Sequence, residues 1–324
     1  MATGIVDAYG HAGLPRFVSA DQYMAMMDAQ GVEQAMVCTA ETCPDLREVT
    51  RAIVEHGDRF RGAGIPIGKT PEEMVGAITA QMEAGFLGIR LADGLIVEYP
   101  QVLDAIGALG GIPFVVGSKG LQSAAGHLTA FLKKYPKLVV CGAHFAGGGD
   151  PDLLTTDPVL AALYANPRFL VIFSRQGAYK QEELVPWAKA VVQRVGWGRV
   201  MFGSEFPVLL WRDETYAAAG AWIDTAGLNP TGNDRANYFG VNATRYLFSR
   251  PVRAAQMLNS RWAWVELKKS APVWLSPDGS ARIDQKLNRA IMDDYLKRDP
   301  GGKGKYSAHV AKMIAYMLQK DKQR

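Results

Sequence analysis

The side chains best suited to chemistry sit at the ends of short apolar runs. Ile5-Val6-Asp7-Ala8-Tyr9-Gly10-His11 is one such run, closing on alternating polar residues. In a strand, residues i and i+2 share a face, so Asp7, Tyr9 and His11 are expected on one side, with His11 nearest the C-terminal end. Other runs end in Gly88-Ile89-Arg90-Leu91-Ala92-Asp93, Cys141-Gly142-Ala143-His144-Phe145, Ser174-Arg175-Gln176 and Phe202-Gly203-Ser204-Glu205-Phe206-Pro207. A carboxylate, imidazoles and guanidiniums converging on one pocket suit acid–base chemistry on an anion. Glu205 is the candidate general base. His11 and His144 are candidate acid/base or hydrogen-bonding groups, and Arg90 and Arg175 are candidate clamps for a carboxylate, with Tyr9 beside them. Each also has a plainer reading. A lone histidine at a strand end is more often a buried, hydrogen-bonded residue, Arg90 can pair with Asp93, and Arg175 can be a loop arginine. Glu205 has the fewest structural uses, because a carboxylate rarely follows an apolar strand without a task. Gly142 and Gly203 each lie two residues before a reactive group, where a missing side chain is expected to leave room for a ligand.

These residues need a frame that brings strand ends together. Short apolar runs recur at residues 4–8, 34–38, 61–67, 88–91, 113–117, 138–143, 169–173 and 199–203. Helix-like stretches follow at 20–29, 45–56, 71–84, 99–109, 121–134, 158–164, 181–195 and 213–226. Ser19 or Asp21 suits the cap of the first helix, and Thr70-Pro71-Glu72-Glu73 is a strong helix start. Eight β/α alternations imply a (β/α)8 barrel, whose active sites lie at the C-terminal ends of the strands. An open doubly wound sheet is the alternative, but no Gly-x-Gly-x-x-Gly follows the first run. Gly147-Gly148-Gly149 lacks the Lys-Ser/Thr of a phosphate loop and reads as a backbone turn.

Four pieces, Ile-Val-Asp-Ala-Tyr-Gly-His (5–11), Gly-Ala-His-Phe-Ala-Gly-Gly (142–148), Met-Phe-Gly-Ser-Glu-Phe-Pro (201–207) and Asn-Ala-Thr-Arg-Tyr-Leu-Phe (242–248), match one family in order and spacing. Residues 1–250 resemble the amidohydrolase-related family, which includes decarboxylases such as aminocarboxymuconate semialdehyde decarboxylase and lactonases such as pyrone dicarboxylate lactonase. In its metal-dependent members, a first-strand histidine pair, a fifth-strand histidine and an eighth-strand aspartate hold zinc. Here Tyr9 replaces one ligand, the fifth run Phe114-Val115-Val116-Gly117-Ser118 has no histidine, and Glu205 replaces the aspartate. His144 matches the sixth-strand histidine that works beside the metal in the decarboxylases. Only His11 and Glu205 remain as strong zinc donors, short of the usual three protein ligands. The expectation is therefore no cofactor, with His11 and Glu205 as the ligands should zinc or another divalent metal bind. The lactonases give the resemblance its main implication, a hydrolase for a small anionic lactone, ester or amide. A metal-assisted decarboxylase or hydratase of the same family is the near alternative. A barrel that has lost its chemistry and serves as a binding or assembly subunit is the distant one.

The chain has 324 residues, 48% of them hydrophobic, enough for a large core. It has no apolar run of transmembrane length and no basic-then-apolar leader. Three cysteines, Cys38, Cys43 and Cys141, lack finger spacing and point to a reducing, cytoplasmic setting. The net charge of +4 is uneven: residues 251–324 hold 15 Lys+Arg against 7 Asp+Glu, leaving 21 against 25 for residues 1–250. The basic residues of that C-terminal extension are dispersed, as on a solvated face, so neither nucleic acid nor membrane is the expected partner. The extension carries Trp262, Trp264 and Trp274, a turn at Ser276-Pro277-Asp278-Gly279, and helical patterns at 284–298 and 306–320. Val310, Met313, Ile314 and Met317 share a helical face that suits packing on the barrel, on a second copy in a homo-oligomer, or on a partner protein. The division expected is residues 1–250 as barrel and 251–324 as a mostly helical extension.

Overall fold

A computed structural model describes residues 4–13, 17–40, 46–250, 254–258, 273–275, 281–283 and 286. Eight strands run in chain order around one parallel sheet: β1 (Ile5–His11), β2 (Val32–Cys38), β3 (Phe60–Gly64), β4 (Gly88–Ala92), β5 (Ile112–Val116), β6 (Val140–Gly142), β7 (Phe169–Phe173) and β8 (Val200–Phe202). The seam between β8 and β1 is closed by two backbone bonds. Glu205 N donates to Tyr9 O at 2.8 Å and His11 N donates to Phe206 O at 2.7 Å. The frame is thus a (β/α)8 barrel, and its closing bonds lie at the residues singled out for chemistry.

Each strand is followed by a helix that covers its outer side: α1 (Ala20–Gln30), α2 (Arg47–Glu55), α3 (Pro71–Glu83), α4 (Pro100–Ala108), α5 (Ala125–Lys134), α6 (Pro158–Ala165), α7 (Gln181–Val195) and α8 (Tyr216–Thr225). The starts follow from local chemistry. Ser19 closes a capping box with Gln22, and Thr70 caps α3 with Pro71 at its first turn. Such a cap is worth about 1 kcal/mol, because it satisfies an amide that the helix leaves without a partner. Residues 121–124 depart from the expected helix. They belong to a 3-10 turn, Lys119–Ala124, in which Gly120 is left-handed, and a Cβ there would meet the Trp187 ring at 2.6 Å. Every residue of β5 and β7 is buried, as sheets covered on both faces require. The quoted Asn-Ala-Thr-Arg-Tyr-Leu-Phe piece serves the frame. Asn242 Nδ2 donates to the carbonyls of Trp197 at 2.7 Å and Val200 at 2.8 Å, fixing the last helical segment beneath β8.

Three expectations need correction. Asp7 does not share a face with Tyr9 and His11. The β1–β2 register shifts between Asp7 and Gly10, a bulge that breaks the alternation. Asp7 turns outward to Tyr23 of α1 and Tyr216 of α8. Gly142 and Gly203 do not open space for a ligand. A Cβ on Gly203 would meet Tyr9 Cβ and Ile172 Cγ2 at 2.8 Å, and one on Gly142 would meet Ala146 Cβ at 2.8 Å. Arg90 pairs with Tyr9, not Asp93, whose carboxylate accepts from Ser118 N and Ser123 Oγ.

Of the C-terminal extension, the described elements are β9 (Val273–Leu275) and β10 (Ala281–Ile283), an antiparallel ribbon whose strands flank the expected turn. β9 runs beside α1, and β10 beside the 3-10 turn Val208–Arg212 that follows β8. The helical patterns at 284–298 and 306–320, and Trp262 and Trp264, lie outside the described residues.

Candidate active site

The C-terminal mouth of the barrel gathers all six of the singled-out side chains. Tyr9 is fully buried, and its ring meets those of His11 and His144 edge-on, at centroid distances of 5.3 and 4.9 Å. Arg90, from β4, donates Nε–H to Tyr9 Oη at 2.7 Å. His11 stacks on Phe17 at 4.8 Å, Phe17 stacks on Trp211 at 6.0 Å, and His11 Nδ1 lies 3.5 Å from Cys38 Sγ. Phe17, Ala40, Val208 and Trp211 form an apolar cluster of their own above the core. This rim limits water around His11.

Glu205 is the electrostatic centre. Arg212 Nη1 sits 2.8 Å from Oε2, Arg175 Nε sits 3.8 Å from Oε1, and His144 Nε2 sits 3.7 Å from the same oxygen. The Arg212 contact is close but oblique, so among the described residues Oε2 has no well-aligned hydrogen bond. Burial alone would raise the Glu205 carboxyl. Arg212 first, then Arg175 and His11, overcome it and hold the group below its ordinary 4.5. His144 goes the opposite way to a surface imidazole. Burial, then Arg175, Arg90 and Arg212, push it well below 6.5, so it is neutral at neutral pH. Its Nδ1 lies 3.0 Å from Ser174 Oγ, which orients the ring. Burial likewise holds the Tyr9 phenol well above 10, so it stays protonated.

The backbone at this mouth is unusual. His144, Phe145 and Ala146 are left-handed in succession, with φ of 55°, 57° and 54°, and Arg175 and Glu205 have φ of 67° and 59°. Such residues cost on the order of 1–2 kcal/mol each. The surroundings hold them in place. Ser174 Oγ accepts from His144 N, Tyr179 Oη donates to His144 O at 3.0 Å, and Trp187 Nε1 donates to Phe145 O at 2.8 Å. The bend after each strand turns the side chain toward the barrel axis. Behind Glu205, the Asp7 carboxylate accepts from Ser204 N, Ser204 Oγ, Tyr9 N, Tyr23 Oη and Tyr216 Oη, so it clamps the β1–β8 seam. Burial raises this carboxyl, and the hydrogen bonds from Ser204, Tyr9 and Tyr23 pull it back.

Sequence reasoning passed over Arg212 and gave no role to Ser174 or Asp7. Arg212 had a signal: it is the one basic residue closing the apolar stretch Phe206-Pro207-Val208-Leu209-Leu210-Trp211 after β8. Its Nε also lies 2.6 Å from Glu214 Oε1, and its Nη2 is buried without a hydrogen-bond partner among the described residues.

The "Amidohydrolase" family model matches residues 2–248. The chain belongs to the amidohydrolase family. Against curated protein sequences it has no match. Solved amidohydrolase-type structures share the barrel at low identity. A probable 2-pyrone-4,6-dicarboxylic acid hydrolase from Acinetobacter baumannii, with citric acid bound, is 16% identical over 76% of this chain and 99% of its own, with a TM-score of 0.56. A 2,6-dihydroxybenzoate decarboxylase, complexed with 2,6-dihydroxybenzoate, is 16% identical over 75% and 98%, also at 0.56. An amidohydrolase from Burkholderia multivorans with bound zinc is 14% identical over 75% and 98%, again at 0.56.

Zinc in that relative makes the donor set of this amidohydrolase the next question. Among the described residues, no three His, Cys, Asp or Glu side chains group as metal ligands. Tyr9, where the resemblance implies a ligand, has its oxygen engaged by Arg90 at 2.7 Å. At Gly117 a Cβ would meet the Asp93 carboxylate at 2.3 Å, so a side chain there requires Asp93 to move. Glu205 already faces two guanidiniums. A zinc ion bonded at about 2.1 Å to Oε2 would lie within about 5 Å of Arg212 Nη1. Repulsion there is roughly 7 kcal/mol at an effective dielectric of 20. These residues do not fit a tightly held divalent ion.

Proposed function

We propose that this amidohydrolase hydrolyses a small anionic substrate, a lactone, ester or amide, without a tightly held metal. One observation carries the reading: an ionised, buried Glu205 flanked by Arg212 and Arg175, with neutral His144 at 3.7 Å. The carboxylate accepts a proton from water. Arg175, a third exposed at the mouth, binds the substrate carboxylate through its planar fork, with Arg90 and Tyr9 buried beneath it. His144 and His11 donate to the developing oxyanion. A base held below the ordinary carboxylate range removes protons weakly. Activated acyl groups such as enol lactones therefore suit this site better than amides. The structural likeness to a probable 2-pyrone-4,6-dicarboxylic acid hydrolase supports this choice. A cytoplasmic location agrees with the cysteine pattern, and no helix among the described residues is long and apolar enough to cross a membrane. Residues 1–250 are the catalytic unit in this reading. The segment 251–324 is an appended contact element for the barrel, a second copy or a partner protein, and its ribbon beside α1 supports that role.

A panel of lactones, esters and amides with and without carboxylates tests the proposal in chelator-containing buffer. The expected result is turnover of a carboxylate-bearing lactone, with Glu205→Gln slower by about 10²–10⁴-fold and still folded. Equal turnover by Glu205→Gln would end the mechanism. Decarboxylation of an aromatic acid in its place would favour the reading that the 2,6-dihydroxybenzoate decarboxylase likeness supports.

A further inference from the structure

We infer that Arg212 stands in for the metal ion's charge: its guanidinium holds the eighth-strand carboxylate and keeps a divalent ion from binding there. The inference rests on the metal-free reading above and names the residue responsible. Arg212 lies on the turn Val208–Arg212, just past β8. Two carboxylates fix it, Glu205 Oε2 at 2.8 Å from Nη1 and Glu214 Oε1 at 2.6 Å from Nε. Its side chain is only 9% exposed. Arg175 also faces Glu205, but at 3.8 Å and with 32% of its side chain exposed, so it is held less tightly than Arg212. Glu214 anchors Arg212 from the other side. A cation pinned on the family's ligand carboxylate is a standing repulsion for a second cation.

A separate observation says what the position accepts. Arg212 Nη2 is buried with no hydrogen-bond acceptor among the described residues. A buried donor left open in this way is completed by a water or by an anionic ligand oxygen, never by a metal ion. Arg212 thus makes the position one for anions. Restoring the first-strand ligand alone is then insufficient to recover zinc. Tyr9→His supplies a third donor beside His11 and Glu205, but the guanidinium is still in place.

Four full-length proteins decide the matter: the unaltered chain, Tyr9→His, Arg212→Met and the double variant. Each is incubated with excess zinc and dialysed. Retained zinc is then counted by plasma mass spectrometry, and melting is followed with and without the metal. The inference expects the unaltered chain and Tyr9→His to retain far less than one equivalent. It expects the double variant to retain close to one, and to melt higher with zinc than without. Near-stoichiometric zinc in Tyr9→His would overturn it, since Arg212 would not then be the barrier. A folded double variant that retains no zinc would overturn it equally. Where Arg212→Met prevents folding, Tyr9→His with Arg212→Gln removes the charge, keeps hydrogen-bonding capacity and gives the same readout. Stoichiometric zinc in the unaltered chain is a different failure, that of the metal-free reading itself.

Discussion

Arg212→Met should expose how much of the fold's stability depends on pairing at Glu205. The substitution keeps bulk but leaves a carboxylate, 3% exposed, without its nearest cation. Breaking a buried pair by removing one partner costs about 3–5 kcal/mol, because the survivor is left as an uncompensated charge. At about 2–4 °C per kcal/mol for a domain of this size, melting should fall by about 6–20 °C. The lower end is expected if Arg175 closes its 3.8 Å gap to Oε1. The effect should also depend on pH. In the unaltered protein the Glu205 pKa is lowered on folding, so its contribution is present above 4.5 and lost as pH falls through the lowered value. Without Arg212, burial is the leading influence and the carboxyl moves up, so the penalty is largest at neutral pH and shrinks on acidification. Glu205→Gln with Arg212→Met leaves neither charge unpaired and should cost less than the sum of the single changes, by roughly 0.5–3 kcal/mol. Urea denaturation of the four proteins at pH 7 and pH 4 supplies the cycle. Additive single effects, or an Arg212→Met cost under about 1 kcal/mol, would refute the reasoning, since exposed pairs fall in that range.

Other outcomes follow from the same geometry. Asp7→Ala removes the acceptor for five donors at the β1–β8 seam and should destabilise by at least about 3 kcal/mol in urea unfolding. His144 is held well below 6.5 in the fold, so the unfolded chain binds its proton first and stability is lost as pH falls below 6.5. His144→Asn should flatten that acid limb in a pH series of denaturant midpoints. Arg175→Met should raise KM for a carboxylate-bearing substrate by about 10–150-fold, the worth of a charged hydrogen bond, with little change in melting. A chain ending at Arg250 should change its assembly state or lose solubility on light scattering. The three tryptophans beyond that point are each worth about 1.5–3 kcal/mol when buried.

The barrel was legible because strand and helix periods alternate through the first 250 residues and the caps at Ser19 and Thr70 are written in local chemistry. Convergence of His11, His144, Arg90, Arg175 and Glu205 was legible from the rule that barrel chemistry sits after the strands. The bulge in β1 was not. Alternation placed Asp7 beside Tyr9, and only the paired register shows it turned to Tyr23 and Tyr216. The glycines misled for a related reason. Gly203 gives room to Tyr9, a neighbour in space that no spacing rule reveals. Arg212 was marked only by its place as the basic residue closing the apolar stretch after β8, and its role shows only in its 2.8 Å distance to Glu205. The left-handed run His144–Ala146 contains no glycine to announce it and depends on partners from α7 and the connection between β7 and α7.

The most direct test of the account is a crystal structure of the full-length protein with an inert aromatic dicarboxylate, grown in the presence of zinc. One carboxylate of the ligand should lie on Arg175 at the C-terminal mouth, beside Glu205 and His144, with Arg212 still paired to Glu205 and no metal between them. A zinc ion bridging His11 and Glu205, or a ligand bound away from this mouth, would contradict it.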